Sequence, residues 1–173
     1  MLTWLPAPPH LAVVCLSSFA FSSLVCVASR VCMPAVSLSY SRLSERGRGE
    51  WDSHLVSQVH AAVASLCGLA CALEAWQIHA WDTPQVAALS SSTLRSVSLM
   101  ITCGYLLFDS VLLAMYFDWR REALTVLHHV GIVTAFVIGV TSGIGTVYMS
   151  LFLTNEVSTL FLNANFWMVR LMY

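Results

Sequence analysis

The stretch Ala123-Leu-Thr-Val-Leu-His-His-Val-Gly-Ile-Val-Thr-Ala-Phe-Val-Ile-Gly-Val140 is nearly all apolar, yet it carries two adjacent imidazoles, His128 and His129. A bilayer core of about 30 Å needs roughly 20 apolar residues per helix, so the run has the length of a membrane span. Period-2 alternation is missing, which argues against a strand. Ionisable side chains at membrane depth are costly. They usually face a protein interior or a wet cavity and mark function.

The rest of the chain agrees with that reading. Of its 173 residues, 58% are hydrophobic and only 10% charged, where a soluble domain carries roughly 25% charged. Mean hydropathy is +0.75. The eight basic residues are all arginine, and no basic patch suggests nucleic acid. Five apolar segments reach spanning length, at about 11–29, 55–76, 95–117, 122–140 and 146–169. Polar or turn residues separate them: Arg30 to Trp51, Asp82-Thr-Pro84, Asp118 to Arg121, and Thr141-Ser-Gly-Ile-Gly145. The expected fold is all-α, a multi-pass transmembrane bundle of five spans. Residues 1–54 supply one span and a solvated polar loop, and 55–173 the other four. The chain stops at Tyr173 directly after the fifth span, as a C-terminally truncated sequence would.

The first segment has no basic residue before it and several after it, the wrong polarity for a cleaved signal peptide. Arg30, Arg42, Arg46, Arg48, Arg120, Arg121 and Arg170 fall at alternate ends of the spans, against Arg95 alone at the others. The positive-inside rule then places the N-terminus on the luminal or external side. The six cysteines form no CxxC pair, and the expectation is small buried hydrophobes rather than disulfides or zinc ligands.

Polar residues inside the spans recur at helical spacing. The second span has Ser57, His60, Cys67, Cys71 and Glu74. The third has Arg95, Ser98, Thr102, Tyr105 and Asp109. The fifth has Glu156, Thr159 and Asn163. Spacings of three and four align such groups on one face, which turns inward because lipid cannot solvate it. At about 1.5 Å per residue, His60, His129, Asp109 and Asn163 fall at matching depths, with Glu156 deeper. The pattern predicts a polar chamber. His128, His129 and Asp109 are its candidate catalytic groups: a carboxylate can orient an imidazole that serves as base or nucleophile. His60, Tyr105, Glu156, Thr159 and Asn163 are candidate lipid contacts. Successive helical residues point about 100° apart, so the two histidines cannot both face one spot. A metal site is a weaker candidate, since no HxxxH or HExxH spacing occurs, and no cofactor is implied.

His60, Gly104-Tyr-Leu-Leu-Phe-Asp109, Leu127-His-His-Val-Gly131 and Glu156-Val-Ser-Thr-Leu-Phe-Leu-Asn163, with Phe166-Trp167, together resemble the TRAM/Lag/CLN homology (TLC) domain from about Val56 onward. The resemblance implies a membrane protein of the endoplasmic reticulum or a related compartment, tied to lipids. One branch, the ceramide synthases, acylates sphingoid bases from acyl-CoA with a histidine pair matching His128 and His129. This chain departs from that branch: it has only Glu156 as an acidic residue where the synthases carry a further acidic motif, and it lacks their homeobox-like segment. It is closer to the small TLC-domain transmembrane proteins. Three functions follow as expectations: a lipid-homeostasis protein that binds or senses a membrane lipid in the chamber; an acyltransferase taking acyl-CoA, with Arg120 or Arg121 meeting the phosphates; or an assembly protein whose polar stripes join helices.

Overall fold

The computed structural model describes residues 9–116 and 119–172. Eight α-helices follow one another among them: α1 (Pro9–Val36), α2 (Leu38–Ser41), α3 (Glu45–Gln77), α4 (Pro84–Leu89), α5 (Thr93–Tyr116), α6 (Trp119–Ser142), α7 (Thr146–Phe152) and α8 (Glu156–Met172). A 3-10 turn, Leu153–Asn155, joins the last two. The chain is an all-α, multi-pass helical bundle. Four helices, α1, α3, α5 and α6, are long and apolar enough to cross a membrane.

Two segments differ from the sequence expectation. The polar stretch after the first span is not a solvated loop. Its α3 begins at Glu45, well before the predicted start near 55, because Ser44 caps it: the Gly47 N–H donates to the Ser44 hydroxyl at 3.2 Å. Glu45 in the first turn suits the positive end of the helix dipole. The stretch is also tied down. Asp52 is fully buried and accepts from Ser29 at 2.6 Å, from Tyr40 at 3.1 Å and from Arg30. Burial and the Asp52 carboxylate push the Tyr40 phenol up to about 12, so it remains a proton donor. The second difference is the expected fifth span, 146–169. It is helical but broken at Leu153–Asn155 into a short α7 and a longer α8. The Thr154 hydroxyl donates to the Leu151 carbonyl at 2.6 Å, an alternative to regular helix pairing.

Helices α3 and α5 form the centre. α5 packs against α1, α3, α6 and α7, and α3 against α1, α5, α7 and α8. Two glycines allow a neighbouring backbone to approach closely. A Cβ on Gly104 would lie 2.2 Å from the Cys15 carbonyl of α1, and one on Gly68 would lie 2.7 Å from the Thr154 backbone nitrogen. One core cluster joins Leu11, Leu99, Cys103, Phe136, Val140 and Leu153; another joins Val56, Tyr105, Leu106, Phe108 and Leu112. The outward faces are equally apolar: Leu16, Leu24, Leu66, Leu124 and Leu127 are all exposed. Water would penalise such a surface, whereas hydrocarbon is its natural solvent.

Candidate functional site

One face of α3 carries Ser53, Ser57 and His60, at spacings of four and three, and each meets a different neighbour. The Ser53 hydroxyl donates to Asp109 Oδ1 of α5 at 3.0 Å. Asn163 of α8 donates through Nδ2 to Ser57 at 3.2 Å, while its Oδ1 accepts from His54 Nδ1 at 2.8 Å. His60 stacks on Tyr105 of α5, with ring centroids 3.9 Å apart and planes 10° from parallel. From Ser53 to His60 is two helical turns, about 10 Å. A polar layer of that thickness therefore links α3, α5 and α8.

α6 adds His129. Its Nε2 lies 3.7 Å from Asp109 Oδ2, and its Nδ1 lies 3.2 Å from the Ser110 hydroxyl. Asp109 and His129 are each 7% exposed. Ser110 Oγ sits 2.7 Å from the Leu106 carbonyl, and only a donated hydroxyl hydrogen makes that distance favourable. Ser110 then has only lone pairs left for His129, so Nδ1 carries a hydrogen. The other ring nitrogen lies 3.7 Å from a carboxyl oxygen, beyond hydrogen-bond distance but near enough for either group's charge to act on the other. Such a pair can lend or take a proton from a bound polar group.

The structure thus gathers most of the residues expected from sequence, with exceptions. His128 is exposed on the outer face of α6, its ring centroid 6.0 Å from that of His129. As the 100° step between neighbours requires, the two candidate histidines do not share one face: His129 turns inward and His128 outward. Glu156 and Thr159 are half-buried and bond to each other: the Thr159 hydroxyl donates to Glu156 Oε2 at 2.8 Å. That bond lies within the first turn of α8 rather than with the His129 cluster. The side chains of Arg120 and Arg121 lie outside the described residues. Arg95 is fully buried, 3.4 Å from Glu74, and donates to Ser90 at 3.1 Å.

Ser53, His54 and Ser110 were missed by sequence reasoning. Ser53 extends the Ser57–His60 stripe by one upstream turn, and that spacing could have found it had α3 been started early enough. His54 and Ser110 sit one residue off their stripes and show themselves only through their partners. At the arginine-bearing end, a separate cavity of about 590 Å³ is lined by Ser39, Arg42, Leu43, Trp51, Val169 and Arg170.

Comparison with known proteins fits this geometry. A family model described as the TLC domain matches residues 50–172, which include every member of the polar layer. TLC domain-containing protein 4-B of Danio rerio is 31% identical over 134 residues, covering 78% of this chain and 49% of the relative. TLC domain-containing protein 4 of Xenopus tropicalis is 30% identical over 149 residues, covering 85% and 55%. TLC domain-containing protein 4 of Homo sapiens is 26% identical over 165 residues, covering 94% and 60%. The chain therefore spans about half the length of the curated relatives it matches. No solved structure matches it.

Proposed function

The chain belongs to the TLC domain family, and from that premise we propose that it acts in lipid homeostasis, binding or sensing a membrane lipid at the polar layer to which α3, α5, α6 and α8 contribute side chains. The observation that carries this reading is the buried His129–Asp109 pair, drawn from two helices and extended by Ser53 and Ser110. A packing role alone would be served by neutral hydrogen bonds. A carboxyl group and an imidazole held beside each other at membrane depth cost far more, and a polar lipid group gives them something to act on. The compartment we propose is the endoplasmic reticulum, with the N-terminus luminal.

The test is a lipid profile of cells expressing the wild-type chain, His129→Ala or Asp109→Asn at matched abundance. The expected outcome is a shifted profile with the wild type and a return toward non-expressing cells with either variant. Profiles indistinguishable among all three would remove the reading.

A second reading, acyl transfer from acyl-CoA, draws support from two features. The His129–Asp109 pair can manage a proton, and the cavity bearing Arg42 and Arg170 offers guanidinium groups to phosphates. In that reaction a His129 nitrogen would attack the thioester carbonyl and the CoA thiolate would depart, leaving an acyl-imidazole. Incubation with labelled acyl-CoA should then leave a histidine-linked label in the wild type and none in His129→Ala.

A further inference from the structure

The cavity of about 590 Å³ at the arginine-bearing end draws its lining from α2, α3, α8 and the α2–α3 connection. Its two guanidinium groups come from distant chain segments and are not equivalent. Arg170 pairs with Glu50 and lies over the Phe166 ring, 5.4 Å from its centroid, yet its side chain is still 39% exposed. Arg42 is exposed, and its side chain has no hydrogen-bond or ion-pair partner among the described residues. The lining adds the half-buried Ser39 and contains no carboxylate. Glu50 belongs to an adjoining cavity that shares Arg170 and Val169. Trp51 is the buried wall, meeting Tyr40 and Trp167 edge to face with ring centroids 5.7 and 4.3 Å away. Aromatic side chains gather at the headgroup level of a bilayer. Beside Ser39, Val36 and Leu38 are strongly exposed, as suits the boundary between headgroups and hydrocarbon. Along α8, Arg170 lies seven residues, about 10 Å, beyond Asn163 of the polar layer.

We propose that this cavity binds the phosphodiester of an anionic phospholipid whose headgroup is otherwise uncharged, with Arg42 and Arg170 on the phosphate oxygens and the hydrocarbon chains in the bilayer. Guanidinium groups offer phosphate a fork of charged donors. The charge count sets the class. Glu50 offsets one guanidinium and leaves the other uncompensated, which matches the single negative charge of a phosphodiester. A phosphomonoester would bring a second charge with no partner. The ammonium of a zwitterionic headgroup would find no carboxylate in the lining. The aromatic wall and the exposed Val36 and Leu38 put the cavity where lipid phosphates lie, which favours a lipid over a free ion. The site gives these arginines a partner other than CoA. It stands apart from the His129–Asp109 pair and does not rest on the preceding proposal.

The purified chain would be titrated with dioleoylphosphatidylglycerol in detergent and ammonium acetate at about 0.15 M, where distant charges are screened, and bound lipid counted by native mass spectrometry. The expected result is one saturable adduct. Dioleoylphosphatidylcholine should bind more weakly, and dioleoylphosphatidic acid no more tightly. Excess inorganic phosphate or CoA should not displace the lipid, since neither is concentrated in the micelle. Arg42→Gln should lower affinity about tenfold, the scale of a hydrogen bond to a charged group, and Arg42→Lys should recover part of it. Arg46→Gln removes a charge at the same end but outside the lining, and should stay within about twofold of wild type. Val169→Trp fills the cavity from a half-exposed position without changing charge, and should abolish the saturable adduct. Equal binding of phosphatidylcholine, tighter binding of phosphatidic acid, displacement by CoA or phosphate, equal losses in Arg42→Gln and Arg46→Gln, or undiminished binding by Val169→Trp would overturn the proposal. Phosphatidylglycerol binding that persists in His129→Ala while cellular lipids stay unchanged would sink the preceding reading and leave this one standing.

Discussion

At His129 a single imidazole meets both Asp109 and Ser110 of α5, while the imidazole beside it is exposed on the outer face of α6. The two residues are chemically identical and adjacent, so they form a matched experiment. His129→Ala leaves the Asp109 carboxyl and the Ser110 hydroxyl short of a partner, and should destabilise the bundle by about 1–3 kcal/mol. His128→Ala removes an exposed ring and should stay within about 0.5 kcal/mol of wild type. Thermal melting in detergent measures both. Equal losses would mean that His128 shares the buried role. The sequence narrows the choice to one histidine but does not select it. Inward orientation is usually read from an apolar stripe, and a membrane erases that contrast. Leu124 and Leu127 face outward and Phe136 and Val140 inward, and all four are equally hydrophobic. Polar stripes survive where apolar ones do not, so Asp109, Tyr105 and His60 were legible, whereas the single histidine of α6 had no stripe to belong to.

At the level of helices, close approach decides which pairs are rigid. Gly104 and Gly131 are both glycines inside spanning helices, and both would gain intrinsic helix propensity as alanine, up to about 1 kcal/mol. Their surroundings differ. A Cβ at Gly104 meets the Cys15 backbone and Ser18, whereas nothing lies within 4 Å of one at Gly131. Gly104→Ala must push α1 off α5 and should cost roughly 1–3 kcal/mol, while Gly131→Ala should be neutral or mildly stabilising. Comparing the two melting curves checks this, and a Gly104→Ala protein as stable as wild type would show that α1 is only loosely seated. The break between α7 and α8 belongs to this scale too. Residues 146–169 contain no proline or glycine, so nothing local announces an interruption. It arises where Gly68 lets the Thr154 backbone press against α3, a tertiary contact that composition cannot reveal. The early start of α3 was legible in principle, since Ser44-Glu45 is a capping signal. Hydropathy windows pass over it because the helix begins with charged residues.

For the whole molecule, charge is sorted by end. Arg170 of α8 pairs with Glu50, Arg30 of α1 with Glu45 and Asp52, and Arg48 with Glu45. These contacts bring the arginines of three distant chain segments to one end of the bundle. The opposite end has Arg95, and it does not act as a surface charge. It is fully buried and lies 3.4 Å from Glu74, so its positive charge is offset inside the protein. What governs insertion is the count of arginines near the spans, to which neighbouring carboxylates contribute little. The arginine-bearing end should face the cytoplasm. Asn-X-Ser/Thr acceptors placed before α1 and in the α3–α5 connection, residues 78–92, should be glycosylated in microsomes; one placed at residues 37–44 should not. Glycosylation at 37–44 with none at 78–92 would invert the topology. The polar layer would then lie nearer the lumen, out of reach of a cytosolic acyl donor, and acyl transfer from acyl-CoA would lose its route to His129.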